Sequence, residues 1–236
     1  MKIRKIYLII TSIVTILSIL AFCVLFFHGG YCDKVLSKLG LKSPEKETDW
    51  AVYSWDSCLA KLHYDSDIAF FGDSITRGGD FQEYFPDKKI INLGYSGDSI
   101  ESITERVSML EHTSPEKIFV MVGINSLTDD NSDDCLERYS ILLTSINDTL
   151  PEAEVYVQSI LPVSKEKEKS TCSNDTIKSF NCELKKLAEQ NQMTYIDLFS
   201  NFTENNQLKA NLSEDGLHIN SKGYEVWLDA IATYIY

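Results

Sequence analysis

The chain has 236 residues, 44% of them apolar and 11% aromatic, which suffices for one packed domain of ordinary size plus a short appendage and excludes a disordered chain. A formal net charge of −13 argues against nucleic acid and anionic membrane surfaces as partners of the folded part, because both would be repelled. A neutral or weakly charged partner suits it better.

The appendage comes first. Lys2, Arg4 and Lys5 give residues 1–5 a basic flank, and Ile6 to Phe27 is an uninterrupted uncharged stretch of about 22 residues, long enough to cross a bilayer as a helix. Positive charge on its N-terminal side predicts that this end stays cytoplasmic, with the folded domain outside. A cleaved signal peptide is the competing reading, which would make the domain secreted. Its apolar core is usually shorter and ends in small residues, whereas Phe22, Phe26 and Phe27 crowd those places here. LAFC at Leu20 to Cys23 is a poor lipoprotein box, since Phe22 is too bulky before the cysteine. Residues 28–48 are charged and short of large apolar side chains, as a juxtamembrane linker would be, and the domain is expected to run over 49–236.

Within it, Trp50, Tyr53, Trp55, Leu59 and Leu62 suggest a helix lying across the domain before the first strand. Short, apolar, β-branched-rich runs follow at Ile68–Phe71, Lys89–Leu93, Ile118–Val122, Val155–Ser159 and Thr194–Leu198, the pattern of strands buried on both faces of a parallel sheet. Between them apolar residues recur at helical spacing: Ile100 to Leu110 after Asp98 and Ser99, Cys135 to Ile146 after Ser132, Ile177 to Leu187 after Asn174, and Tyr224 to Ile235 after Asn220 and Ser221. Alternating strands and helices predict a three-layer α/β/α sandwich. Val163 to Ser173, rich in Lys and Glu, reads as an exposed and mobile loop.

Cysteine usage adds little. Cys23 lies in the apolar segment, and Cys32, Cys58, Cys135, Cys172 and Cys182 are odd in number and irregular in spacing, so no disulfide framework is indicated. No pair has zinc-ligand spacing, His28, His63 and His112 are scattered, and Cys135 reads as a buried thiol. The sequons at Asn147, Asn174, Asn201 and Asn211 read as ordinary polar surface.

Four short blocks carry the chemistry. They are GDSIT with Ser74, NLGYSGDS with Gly94, VGINS with Asn125, and DGLHIN with Asp215 three residues before His218. In this order, and over nearly the whole chain from Trp50 to Tyr236, they resemble the SGNH hydrolase superfamily, also called GDSL esterases and lipases. Ile75 replaces the leucine of that name, and Ser126 stands where many relatives carry Asp. The resemblance implies a flavodoxin-like parallel sheet of about five strands. It also implies a carboxylic ester hydrolase in which Ser74 is the nucleophile, His218 the base and Asp215 the acid that orients it, with Ser74, Gly94 and Asn125 forming the oxyanion hole. No metal or organic cofactor is implied.

Taken singly, Ser74 could be a helix cap, His218 a loop residue and Asp215 a turn cap; their combination in family order favours the catalytic reading. Asp73 is expected to hydrogen-bond within the turn, and Asp98 and Asp129 read as polar loop residues without an assigned role. The expected substrate is a small-molecule or glycan ester of short acyl chain, such as an O-acetyl group. The alternatives are an acyltransferase using the same serine and a non-catalytic glycan-binding module of the same fold.

Overall fold

The computed structural model describes residues 64–236. The basic flank, the expected anchor at 6–27, the linker at 28–48 and the expected helix around Trp50 to Leu62 therefore lie outside the described residues. Among the described residues no helix is long and apolar enough to cross a membrane.

Five strands, β1 (Ile68–Gly72), β2 (Ile90–Gly94), β3 (Lys117–Met121), β4 (Glu154–Gln158) and β5 (Thr194–Ile196), pair in parallel in the order β2-β1-β3-β4-β5. Each lies within two residues of a run expected from the sequence. The order reverses between β1 and β3, and in such sheets ligands gather at the carboxyl ends of the strands beside that switch point.

Successive strand residues alternate between faces, so both faces must be covered. Against one face lie α2 (Phe81–Tyr84), α7 (Phe199–Phe202) and α8 (Ser221–Ile235). Their core includes an aromatic ladder that follows the strand register: Phe70 of β1 stacks on Phe119 of β3 with centroids 4.9 Å apart, and Phe119 on Tyr156 of β4 at 4.6 Å. Phe81 stacks on Phe70 at 3.6 Å, and Trp227 meets Phe81 edge-on while its indole N–H donates to Gln158 Oε1 at 2.6 Å. On the other side α3 (Ile100–Glu105), α4 (Ser108–Glu111), α5 (Ser132–Thr149) and α6 (Asn174–Gln190) pack against one another, with α5 in the middle. Cys135 is fully buried in α5, as its spacing predicted.

Three local expectations need correction. The helical pattern from Ile100 to Leu110 is two helices, because the chain leaves α3 at Arg106 (φ −111°, ψ 17°) and that side chain turns inward to bind Asp98. The loop from Val163 to Ser173 is tied down: Asn174 donates to Val163 O and accepts from Val163 N, both at 2.8 Å, and a 3₁₀ turn forms at Lys167–Lys169. For the same reason Asn174 is not surface; it is fully buried, and Ser173 caps α6 in its place. A two-stranded hairpin of β6 (Thr203–Glu204) and β7 (Gln207–Leu208), turning through Asn205 and Asn206 at positive φ, was too short to show a period in the sequence.

The aromatic ladder sets a test of this packing. Phe119→Ala removes the ring stacked between Phe70 and Tyr156 and should cost about 3–5 kcal/mol in chemical denaturation. A loss below about 1 kcal/mol would mean that the ladder is not part of the core.

Candidate active site

β1 ends at Gly72, and the chain turns at once into α1 (Ser74–Arg77) with Ser74 as its first residue. The turn requires glycine at 72, where a Cβ would come within 2.3 Å of Met121 O on the neighbouring strand. Asp73 caps the helix, its Oδ1 accepting from Ile75 N at 2.9 Å, as expected. This carboxyl is 2% exposed, and burial pushes its pKa up to about 7, the nearby Asp98 charge adding to the effect and the Ile75 N–H opposing it.

The far end of the chain supplies the partner. Between Ser213 and Ile219, which form an isolated antiparallel bridge, the backbone folds into a turn that depends on positive φ at Gly216. Ser213 Oγ accepts from Gly216 N at 2.9 Å and donates to His218 O at 2.6 Å. Asp215 Oδ1 accepts from the backbone N–H groups of Leu217 and His218, at 2.9 and 2.8 Å. Its other oxygen lies 2.8 Å from His218 Nδ1, and His218 Nε2 lies 3.0 Å from Ser74 Oγ. Partial burial opposes charge on Asp215. The hydrogen bonds from the His218 ring and from two N–H groups outweigh it and hold the carboxyl well below the usual range. With Nδ1 donating to Asp215, the neutral ring presents its Nε2 lone pair to the Ser74 hydroxyl, an arrangement able to take that proton.

The expected oxyanion donors fare differently. Asn125, exposed in the loop after β3, donates from Nδ2 to Asp98 O at 2.9 Å, which orients the amide and leaves a second N–H on the same nitrogen. Ser74 N–H lies in the first turn of α1, where backbone donors have no partner within the helix. Gly94 departs from expectation. Its N–H donates to Asn92 Oδ1 at 2.9 Å, and a Cβ there would come within 2.3 Å of Arg77 N, so this glycine lets the end of β2 pack against the backbone of α1. Asn92 completes that joint by donating to Thr76 O and Gly79 O. The exposed glycine of the same block is Gly97, at φ +79° with no atom within 4 Å of where a Cβ would stand.

Spacing did not reveal the supports of the site. Ser164 N donates to Gly216 O at 2.8 Å, which docks the 163–173 loop on the His218 turn, and Tyr224 Oη donates to Ile75 O at 2.7 Å, which joins α8 to α1. Asp129, without a role in the sequence, accepts from Ser173 N and Thr176 Oγ1 at the start of α6. Serine and tyrosine in such places look like ordinary polar positions until the fold shows what faces them.

The α/β sandwich thus brings Ser74, His218 and Asp215 together in series at the carboxyl edge of its parallel sheet. The chain matches the GDSL-like Lipase/Acylhydrolase family over residues 70–226 and belongs to it. It is thereby a carboxylic ester hydrolase by class. Among solved structures it is similar to a candidate platelet activating factor from Streptococcus pneumonia, with 27% identity, a TM-score of 0.69, and 78% of this chain and 92% of the other covered. It also shares its fold with an acetyl xylan esterase (20% identity, TM-score 0.62, 72% and 99% covered). A mutant of an acetyl-xylooligosaccharide esterase from Geobacillus Stearmophilus is a further match (18% identity, TM-score 0.58, 73% and 94% covered). No curated protein matches the sequence.

Asp73 makes stability depend on pH. The unfolded chain releases this proton near the ordinary aspartate value of 3.8, whereas the folded chain holds it to about 7. The stabilisation is therefore complete at low pH and is lost progressively as pH rises from about 4 to 7. Asp73→Asn keeps an oxygen for the Ile75 N–H and removes the titration, so its stability relative to wild type should grow across that window, by roughly 4 kcal/mol at most. Urea denaturation at both ends of the window checks this; a constant difference would contradict it.

Proposed function

We propose that Ser74, His218 and Asp215 act as a catalytic triad and that the protein removes short acyl groups, such as acetyl, from esters of a bulky polar alcohol such as a glycan. The observation that carries this reading is the unbroken series Asp215 Oδ2 to His218 Nδ1 at 2.8 Å and His218 Nε2 to Ser74 Oγ at 3.0 Å. His218 takes the hydroxyl proton as Ser74 Oγ attacks the ester carbonyl, then returns it to the leaving alcohol. Water deacylates the serine ester by the same route in reverse. The side-chain amide of Asn125 and the backbone N–H groups of Ser74 and Gly97 stabilise the oxyanion.

The substrate class rests on the openness of the site. His218 and Asp215 have side chains 48% and 45% exposed, and Asn125 is exposed as well, so the alcohol portion can remain largely in solvent. The acetyl esterases that share the fold agree with a short acyl group. From the sequence pattern alone, we read the domain as displayed outside the cell on a single-pass anchor at 6–27.

Two experiments test this. Across chromogenic esters of increasing acyl length, turnover should be highest for acetyl; a preference for long chains would overturn the substrate class. Adding a sugar acceptor should leave acetate as the product, and transfer to the sugar would instead establish the acyltransferase. Among variants, Ser74→Ala should abolish turnover, and Asn125→Ala should lower kcat by about 10²–10³ with KM little changed. If KM rises and kcat holds, Asn125 binds substrate and is no oxyanion donor.

Asp215→Asn should lower kcat by as much as about 10⁴-fold, through loss of the imidazole tautomer. Because the Asp215 carboxyl is held well below the usual carboxylate range, its own protonation should not shape the acid limb of the wild-type pH profile.

A further inference from the structure

Arg106 is the most heavily bonded cation among the described residues, and neither the family blocks nor the triad uses it. Its side chain is 6% exposed. The guanidinium lies between two aromatic rings, 4.8 Å from the centroid of Phe71 and 4.3 Å from that of Tyr95. Nη2 donates to Gly72 O at 3.2 Å and to Leu93 O at 3.0 Å, carbonyls at the carboxyl ends of β1 and β2. Nε donates to Asp98 Oδ2 at 2.8 Å, and Nη2 reaches the same oxygen.

These contacts converge on the reacting end of the sheet. Gly72 is two residues before Ser74, and Asp98 follows Gly97. Asp98 faces the site with its backbone as well, because its carbonyl accepts the Asn125 amide at 2.9 Å. One guanidinium therefore ties three things together: the strand end that launches Ser74, the loop that carries Gly97 and Asp98, and, through the Asp98 carbonyl, the amide of Asn125. A planar fork with five donors can bond two carbonyls and a carboxylate at once, which an ammonium cannot do in that geometry. Asp98 in turn keeps the buried cation from being left without a counter-charge.

We infer that Arg106 is a positioning residue for acyl transfer: with Asp98 it holds the Asn125 amide and the 95–98 loop in register with Ser74, so that the oxyanion donors are in place before charge develops. This rests on the oxyanion reading of Asn125 proposed above.

The test is a double-mutant cycle of Arg106→Lys with Asn125→Ala, with kcat and KM on an acetyl ester and thermal unfolding measured for each protein. In the wild-type background, Arg106→Lys should lower kcat on the order of 10²-fold, the scale set by misplacing a catalytic group by about 1 Å, and leave KM nearly unchanged. In the Asn125→Ala background the same substitution should cost less, because one of the donors it positions is gone while Gly97 remains. Equal losses in the two backgrounds would overturn the inference while leaving the oxyanion reading intact. If Asn125→Ala alone does not lower kcat, both fall. Should Arg106→Lys fail to fold, Asp98→Asn is put through the same cycle, since it keeps the backbone carbonyl that holds Asn125 and weakens the grip of Arg106. If neither variant folds, the pair is a requirement of folding and the inference is wrong.

Discussion

The contact between His218 Nε2 and Ser74 Oγ joins segments 144 residues apart, and much of the fold acts to hold its two ends within hydrogen-bond reach. On the serine side the constraint is a tight passage from β1 into α1, where Gly72 allows the close approach of β3 and Asp73 caps the helix. On the histidine side it is a turn closed on itself by Ser213 and Asp215 and anchored to α8 by Asn220, which caps that helix through Gly223 N. Tyr224 links the two ends directly by bonding Ile75 O. The aromatic ladder beneath fixes the sheet against α8, so the distance between Ser74 and His218 follows from core packing and not from the loops alone.

Electrostatics around this contact are arranged by burial. Asp215, half exposed and supplied with three donors, stays ionised beside the ring. Asp73, adjacent to Ser74 in sequence, is buried with one strong donor and is driven toward the neutral form. Two carboxyl groups near one hydroxyl thus differ in charge because their solvation differs, the same logic by which a single site supports acid and base roles. Arg106 and Asp98 place a compensated ion pair under the same strand ends, so the region carries charge without a buried unpaired ion.

Much of this was legible in the sequence. The strands were readable because residues buried on both faces leave continuous apolar runs, and Ser74, Asn125, Asp215 and His218 because their blocks sit at strand ends or before a capped helix. The rest was hidden for definite reasons. Two glycines share the second block, and no spacing rule shows that Gly94 faces a helix backbone while Gly97 faces solvent. Helical periodicity over Ile100 to Leu110 is the same whether or not the helix breaks, and only the three-dimensional position of Asp98 explains why it does. The charged run from Lys165 to Lys169 resembles a free loop because its anchors, Asn174 and Gly216, lie outside it.

The account stands on Ser74 being activated by His218 in the folded domain. Incubation with a fluorophosphonate probe, followed by mass analysis of the intact protein and its peptides, measures this most directly. The account predicts one adduct per chain, on the peptide containing Ser74, with labelling that slows sharply in His218→Ala. An adduct on another residue, or labelling of Ser74 that is indifferent to His218, would contradict it.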